Sequence, residues 1–256
     1  LNNSGQPIND LTRIANISDR QQRRQLDFLN TLNREHQKLR KANAELEARI
    51  RSFELAYRMQ TAAPEVFDLK RESPSTHSMY GLDDKRCAHF GRQCLTARRL
   101  VQSGVRFVQL YSGGTENQKS WDGHIDIEGN HRGFAEEVDQ PISALLTDLK
   151  QRGMLDETLV VWGTEFGRTP GAQNSNGRDH HPYGFSIWLA GGGIKGGVAH
   201  GATDELGFHA REDRHYITDL HATVMQQLGL DARRLEIPGR KRLDIDYGRP
   251  IEAIIA

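Results

Sequence analysis

The feature that most limits how this chain can fold is a near-continuous apolar run, Thr158-Leu159-Val160-Val161-Trp162-Gly163. A short run without alternation is what a strand buried on both faces looks like, and such strands belong to parallel sheets. Two further segments read as strands, Val105–Tyr111 and Phe185–Ala190. Helical periodicity covers residues 131–152, through Val138, Ile142, Leu145, Leu146 and Leu149, and Gly153 stops it. It returns from Asp219 to Leu228, stopped by Gly229. Strands alternating with helices predict an α/β class, in which ligands gather at the carboxyl ends of the strands.

The part before residue 105 has a different texture. Residues 1–17 are polar, with Gly5 and Pro7, and read as an extended arm. Ser18 followed by Gln21 is a capping-box pattern. A long helix is predicted from there to about Thr61, with one apolar stripe through Leu26, Leu29, Leu32, Leu39, Leu46, Ile50, Phe53 and Tyr57. A second amphipathic helix is predicted from Asp83 to Val101, carrying Cys87, Phe90, Cys94 and Leu95 and ended by Gly104. The expected organisation is therefore an arm over 1–17, a helical segment over 18–104 packing on the core, and an α/β core over 105–256. Cys87 and Cys94 lie about 10 Å apart along that helix, too far for a disulfide.

Charge narrows the class of partner. The 34 Lys and Arg balance 34 Asp and Glu, so no overall positive field holds nucleic acid or an anionic membrane. The start of the first helix is basic, through Arg20, Arg23, Arg24, Arg34, Lys38, Arg40 and Lys41. Acidic residues are interspersed and no aromatics alternate with the basic ones, so the stretch reads as a solvated face. No run reaches the roughly 18 apolar residues of a membrane span.

Eight of the 11 His fall between His124 and His221. Three loops adjoining the expected strands bring carboxylate or imidazole groups: Trp121-Asp122-Gly123-His124, Gly163-Thr164-Glu165-Phe166-Gly167-Arg168, and Gly177-Arg178-Asp179-His180-His181-Pro182. Carboxylate oxygens with imidazole nitrogens suit Zn or Mn, and carboxylate-rich sets shift the choice toward Mg, Ca or Mn. The candidate metal ligands are thus Asp122, His124, Glu165, Asp179, His180 and His181. Each has an ordinary alternative. Asp122 and His124 could be turn residues, and Glu165 could pair with Arg168 as a structural ion pair.

Together these segments resemble a known family. The Trp-Asp-x-His, Gly-Thr-Glu-Phe-Gly-Arg-Thr-Pro and Gly-Arg-Asp-His-His-Pro motifs are joined by Tyr80-Gly81-Leu82-Asp83, by the Gly-rich turn at 189–197, and by Asp219-Leu220-His221-Ala222-Thr223. They are similar to an uncharacterised sulfatase-like family, domain of unknown function 1501, of the alkaline phosphatase superfamily. The resemblance implies an alkaline-phosphatase-like, mostly parallel sheet flanked by helices, incomplete at its N-terminal side. It also implies a two-metal hydrolase of phosphate or sulfate esters with a divalent cofactor (Zn, Mn, Mg or Ca). Its substrate would be an anionic small molecule or polysaccharide.

Within that resemblance, Asp122 and His124 look like ligands of one metal, and His180 closes the site, with Asp179 or His181 as alternates. Glu165 stands where the superfamily has the Asp of an Asp-His pair, and Phe166 replaces the His. Arg168 is a candidate for anion binding. Asp219 and His221 read equally as a helix-start cap and a surface His. Cys94-Leu95-Thr96-Ala97-Arg98 departs from the sulfatase nucleophile motif at its third position and sits mid-helix. The nucleophile is expected upstream of this chain, on a strand that precedes Leu1. Family members often carry an export signal, which implies a periplasmic or extracellular protein. The alternative is a non-catalytic structural or binding domain that retains the scaffold.

Overall fold

The computed structural model describes residues 17–38, 50–55, 57, 65–114, 120–235 and 247–256. The expected arm over 1–17, apart from residue 17, and positions 39–49, 56 and 58–61 of the expected long helix lie outside the described residues. The chain divides into two compact units, one of Leu1–His77 with Leu95–Val108, the other of Ser78–Cys94 with Gln109–Ala256.

In the first unit, helix α1 spans Asp19–Lys38. Its start is capped as the sequence pattern predicts: Gln21 N donates to Ser18 Oγ at 3.3 Å and Ser18 N donates to Gln21 Oε1 at 2.9 Å. The expected single helix to Thr61 is not what forms. Arg23 Nη1 lies 2.8 Å from Glu54 Oε1. In one straight helix these residues would be about 46 Å apart, at 1.5 Å per residue. Helical residues 50–55 instead lie beside α1, and Leu26, Leu29, Ile50 and Phe53 line one cleft between them. These four positions of the expected stripe serve a helix pair. Part of the basic face is neutralised locally, since Arg23 also bonds Asp27 at 2.6 Å.

Helix α2 spans Pro74–Met79 and α3 spans Ala88–Gln102. The first unit holds a charge cluster built on the buried Arg98. Arg98 on α3 is 1 % exposed, and its Nη2 lies 2.7 Å from Glu72 Oε2. Arg99 Nη1 takes the other oxygen of Glu72, while Arg99 Nε donates to Val66 O at 2.6 Å.

The second unit packs around α4, Ile127–Gln151, which buries Val138, Pro141, Ala144 and Leu149. The helix starts earlier than periodicity predicts, because Asp126 in a left-handed conformation caps it through Gly129 N. Tyr80 is fully buried and donates its hydroxyl to Asp148 Oδ2 at 3.0 Å. Gly91 on α3 lets the backbones meet there, since a Cβ would lie 2.1 Å from Tyr80 O.

Six short strands follow: β1 Val160–Trp162, β2 Gly167–Arg168, β3 His180–His181, β4 Trp188–Ala190, β5 Ala202–Thr203 and β6 Ala210–Glu212. They form three two-stranded antiparallel ladders, β1 with β4, β2 with β3 and β5 with β6. The expected alkaline-phosphatase-like parallel sheet is therefore overturned, for two reasons. Parallel neighbours need a crossover connection, usually a helix, and the chain between β1 and β4 carries only the β2–β3 hairpin. Parallel strands are also covered on both faces, whereas Val161 and Trp162 are exposed. Trp162 pairs across the ladder with Trp188, their rings 6.3 Å apart and nearly parallel. Val105–Tyr111, predicted as a strand, has no ladder partner among the described residues, and Phe107 and Tyr111 are exposed.

Helix α5 spans Ile217–Gln227. Tyr216 N and Arg249 N donate to the two oxygens of Asp219 at 3.0 and 2.8 Å, so this carboxylate anchors the helix start, and His221 is exposed. Both cysteines are free and buried, and burial pushes the Cys94 thiol up to about 12. Among the described residues no helix is long and apolar enough to cross a membrane.

Candidate metal centre

The turn at Trp121–His124 is drawn tight by Gly123 N and His124 N, each bonding the carbonyl two residues back at 3.0 Å. The segment 173–178 lies over it. Arg178 N donates to Gly123 O at 3.0 Å, Asn174 Nδ2 to His124 O at 3.1 Å, and Asp126 N to Asn176 Oδ1 at 3.0 Å. Gly177 makes this approach feasible, because a Cβ there would stand 1.8 Å from His124 O. The β2–β3 register then sets Arg168 opposite His180.

Three of the six candidate ligands converge. Asp122 Oδ1 lies 3.0 Å from His124 Nε2 and 2.9 Å from His180 Nε2, and the two ring nitrogens are 3.1 Å apart. Asp122, His124 and His180 are the one group of three or more such residues among the described residues whose ligand atoms could hold a metal ion. The donor set of one oxygen and two imidazole nitrogens suits Zn²⁺ and similar ions. Its edges compare with the ~3.3 Å edge of a tetrahedral set at Zn–N distances near 2.05 Å. The cluster is partly open to solvent, with the His180 side chain 44 % exposed.

Neighbours orient each ligand. Gln173 Oε1 can only accept, so His124 Nδ1 donates to it at 2.5 Å, and Nε2 faces Asp122 and His180. Arg168 Nη2 donates to Asp122 Oδ1 at 2.7 Å and to Trp121 O at 3.2 Å. Burial pushes the Asp122 carboxyl up, but hydrogen bonds from His180 and Arg168 outweigh it and hold the group below the ordinary carboxylate range. Phe166 packs against His180 with the rings tilted 36° and their centroids 4.2 Å apart.

The other candidates stand elsewhere. Glu165 is exposed and outside the group, and Arg168 is engaged by Asp122. Asp179 Oδ1 accepts from His180 N at 2.8 Å and lies 3.9 Å from His124 Nδ1, beyond hydrogen-bond reach. His181 is buried, with Nε2 against Phe208 O at 2.5 Å and its ring packed between Tyr183 and Phe208. Gln173 was missed, because one amide in a Gly/Asn-rich loop carries no spacing signal.

The family described as "Protein of unknown function (DUF1501)" matches residues 1–255. The chain belongs to the DUF1501 family. No curated protein and no solved structure matches it. The DUF1501 match spans both compact units.

Replacing Gln173 with Ala in this DUF1501 protein frees the His124 ring. Zinc affinity is expected to drop about 10-fold with secondary structure unchanged, as loss of an outer-sphere partner does. Competition titration with a chromogenic chelator measures it.

Proposed function

We propose that this DUF1501 chain carries the divalent-metal centre of a hydrolase acting on phosphate or sulfate esters. The observation that supports the reading is the convergence of Asp122, His124 and His180 on one point, each ligand held by a neighbour. When bound, a divalent ion supplies Lewis acidity toward a phosphoryl or sulfuryl oxygen. The chain's own residues prepare the site. Arg168 keeps Asp122 ionised and aimed, and Gln173 fixes the imidazole tautomer of His124. The Phe166 ring packs against one side of His180 and restricts its rotation. Arg168 is committed to Asp122, so its guanidinium is not offered to the ester's own charge.

Cys94 takes no part, since it is buried in α3 and its thiol stays protonated. The same reading puts the protein in the periplasm or outside the cell, which fractionation of the source cells checks. The test of function is release of p-nitrophenol from p-nitrophenyl phosphate and p-nitrophenyl sulfate by the full-length protein, before and after chelation. Turnover that is lost on chelation and restored by Zn²⁺ or Mn²⁺ is expected. No turnover with either ester, or turnover that a chelator leaves intact, overturns the hydrolase reading.

A further inference from the structure

We propose that His200 and His215 form a second cation site, a two-histidine clip for a borderline divalent ion such as Zn²⁺ or Cu²⁺. His200 stands just before β5 and His215 just after β6, and the ladder pairs Ala202 with Glu212, so the hairpin brings its two open ends together. The two Nε2 atoms are 2.9 Å apart, and the rings stack at 5.1 Å with a 29° tilt. Behind each ring stands a carboxylate. Asp213 Oδ2 is 3.9 Å from His200 Nδ1, and Asp219 Oδ2 is 3.6 Å from His215 Nδ1. Asp219 is itself fixed by two backbone N–H groups, from Tyr216 and Arg249.

These carboxylates place negative charge beside both rings, which favours a cation between them. The two Nε2 atoms face each other across 2.9 Å, so a bound cation takes both as ligands in place of the hydrogen bond between the rings. The separation falls between the edges of square (~2.8 Å) and tetrahedral (~3.3 Å) sets at metal–nitrogen distances near 2.0 Å. The side chains are 22 % and 34 % exposed, which leaves room for water to complete the coordination. The alternative occupant is a shared proton.

The test is equilibrium dialysis of the full chain against Zn²⁺, with Cu²⁺ electron paramagnetic resonance as a second readout. The Asp122→Ala protein is expected to retain one equivalent, and His215→Ala added to it to remove that equivalent. Copper in the Asp122→Ala protein is expected to show coupling to two nitrogens. His215→Gln, nearer in shape, guards against loss through misfolding, and circular dichroism follows it. The clip is overturned if Asp122→Ala protein binds neither ion, which leaves only a shared proton, or if its retained ion survives both His215 changes. Loss of the His215-dependent ion alone leaves the Asp122 centre standing, and loss of the Asp122-dependent ion alone leaves the clip standing.

Discussion

Asp122→Ala protein is expected to lose its first-centre metal, with affinity falling on the order of 10³-fold, or ~4 kcal/mol. Asp122 is the only anionic member of the convergent set, and His124, His180 and the Arg168 guanidinium all face its Oδ1. Removing the carboxylate leaves two imidazoles next to an uncompensated guanidinium, a setting that repels a cation. Asp122→Asn keeps the shape but not the charge and is expected to fall between the two. Occupancy is also expected to fall as pH is lowered, because protons compete with the ion for the same ligand atoms. Calorimetric titration of metal-free protein measures all three effects. Equal affinity in wild type and Asp122→Ala places the ion elsewhere.

The largest expected effect on stability lies in the other unit. Glu72→Ala is expected to cost about 3–5 kcal/mol, the penalty for breaking a buried ion pair by removing one partner. Arg98 is the largest fully buried side chain among the described residues, and both it and Arg99 pair with Glu72. Burial pushes the Glu72 carboxyl up, but hydrogen bonds from Arg98 and Arg99 outweigh it and leave the folded-state pKa below the ordinary glutamate value. The cluster's stabilisation is therefore complete above the ordinary glutamate range and declines as pH falls through the lower, folded-state value. Urea unfolding of wild type and Glu72→Ala at neutral and acidic pH checks both claims. The difference between them should shrink in acid. A double change, Glu72→Leu with Arg98→Met, should recover part of the loss, since apolar packing can replace a buried pair.

How much of this was legible depended on how far apart the partners lie in sequence. The Ser18–Gln21 box needs only a spacing of three, and it formed as read. Helices α3, α4 and α5 showed their periods, because each needs one apolar face whatever covers it. Strand pairing is non-local, and the apolar run at 158–163 did not reveal that its partner would be Trp188–Ala190 in the opposite direction. The stripe from Leu26 to Tyr57 likewise could not distinguish one long helix from two packed segments. Asp122, His124 and His180 were visible because their side-chain chemistry is uncommon in loops. Glu165 and His181 carried the same chemistry and were placed elsewhere, one in solvent and one in packing. Arg98 was visible only inside a rejected cysteine motif, since Glu72 lies 26 positions away with no pattern linking them.

The three tryptophans have an optical consequence. Trp162 and Trp188 face each other across the β1–β4 ladder as a nearly parallel pair. Two indoles so arranged couple their transitions, so their circular dichroism couplet would vanish when this ladder opens. Trp121 adjoins Asp122, and its carbonyl accepts from Arg168. Its emission would follow the carboxylate instead. One molecule thus holds two intrinsic chromophores, one for ladder integrity and one for the Asp122 environment, readable without labels.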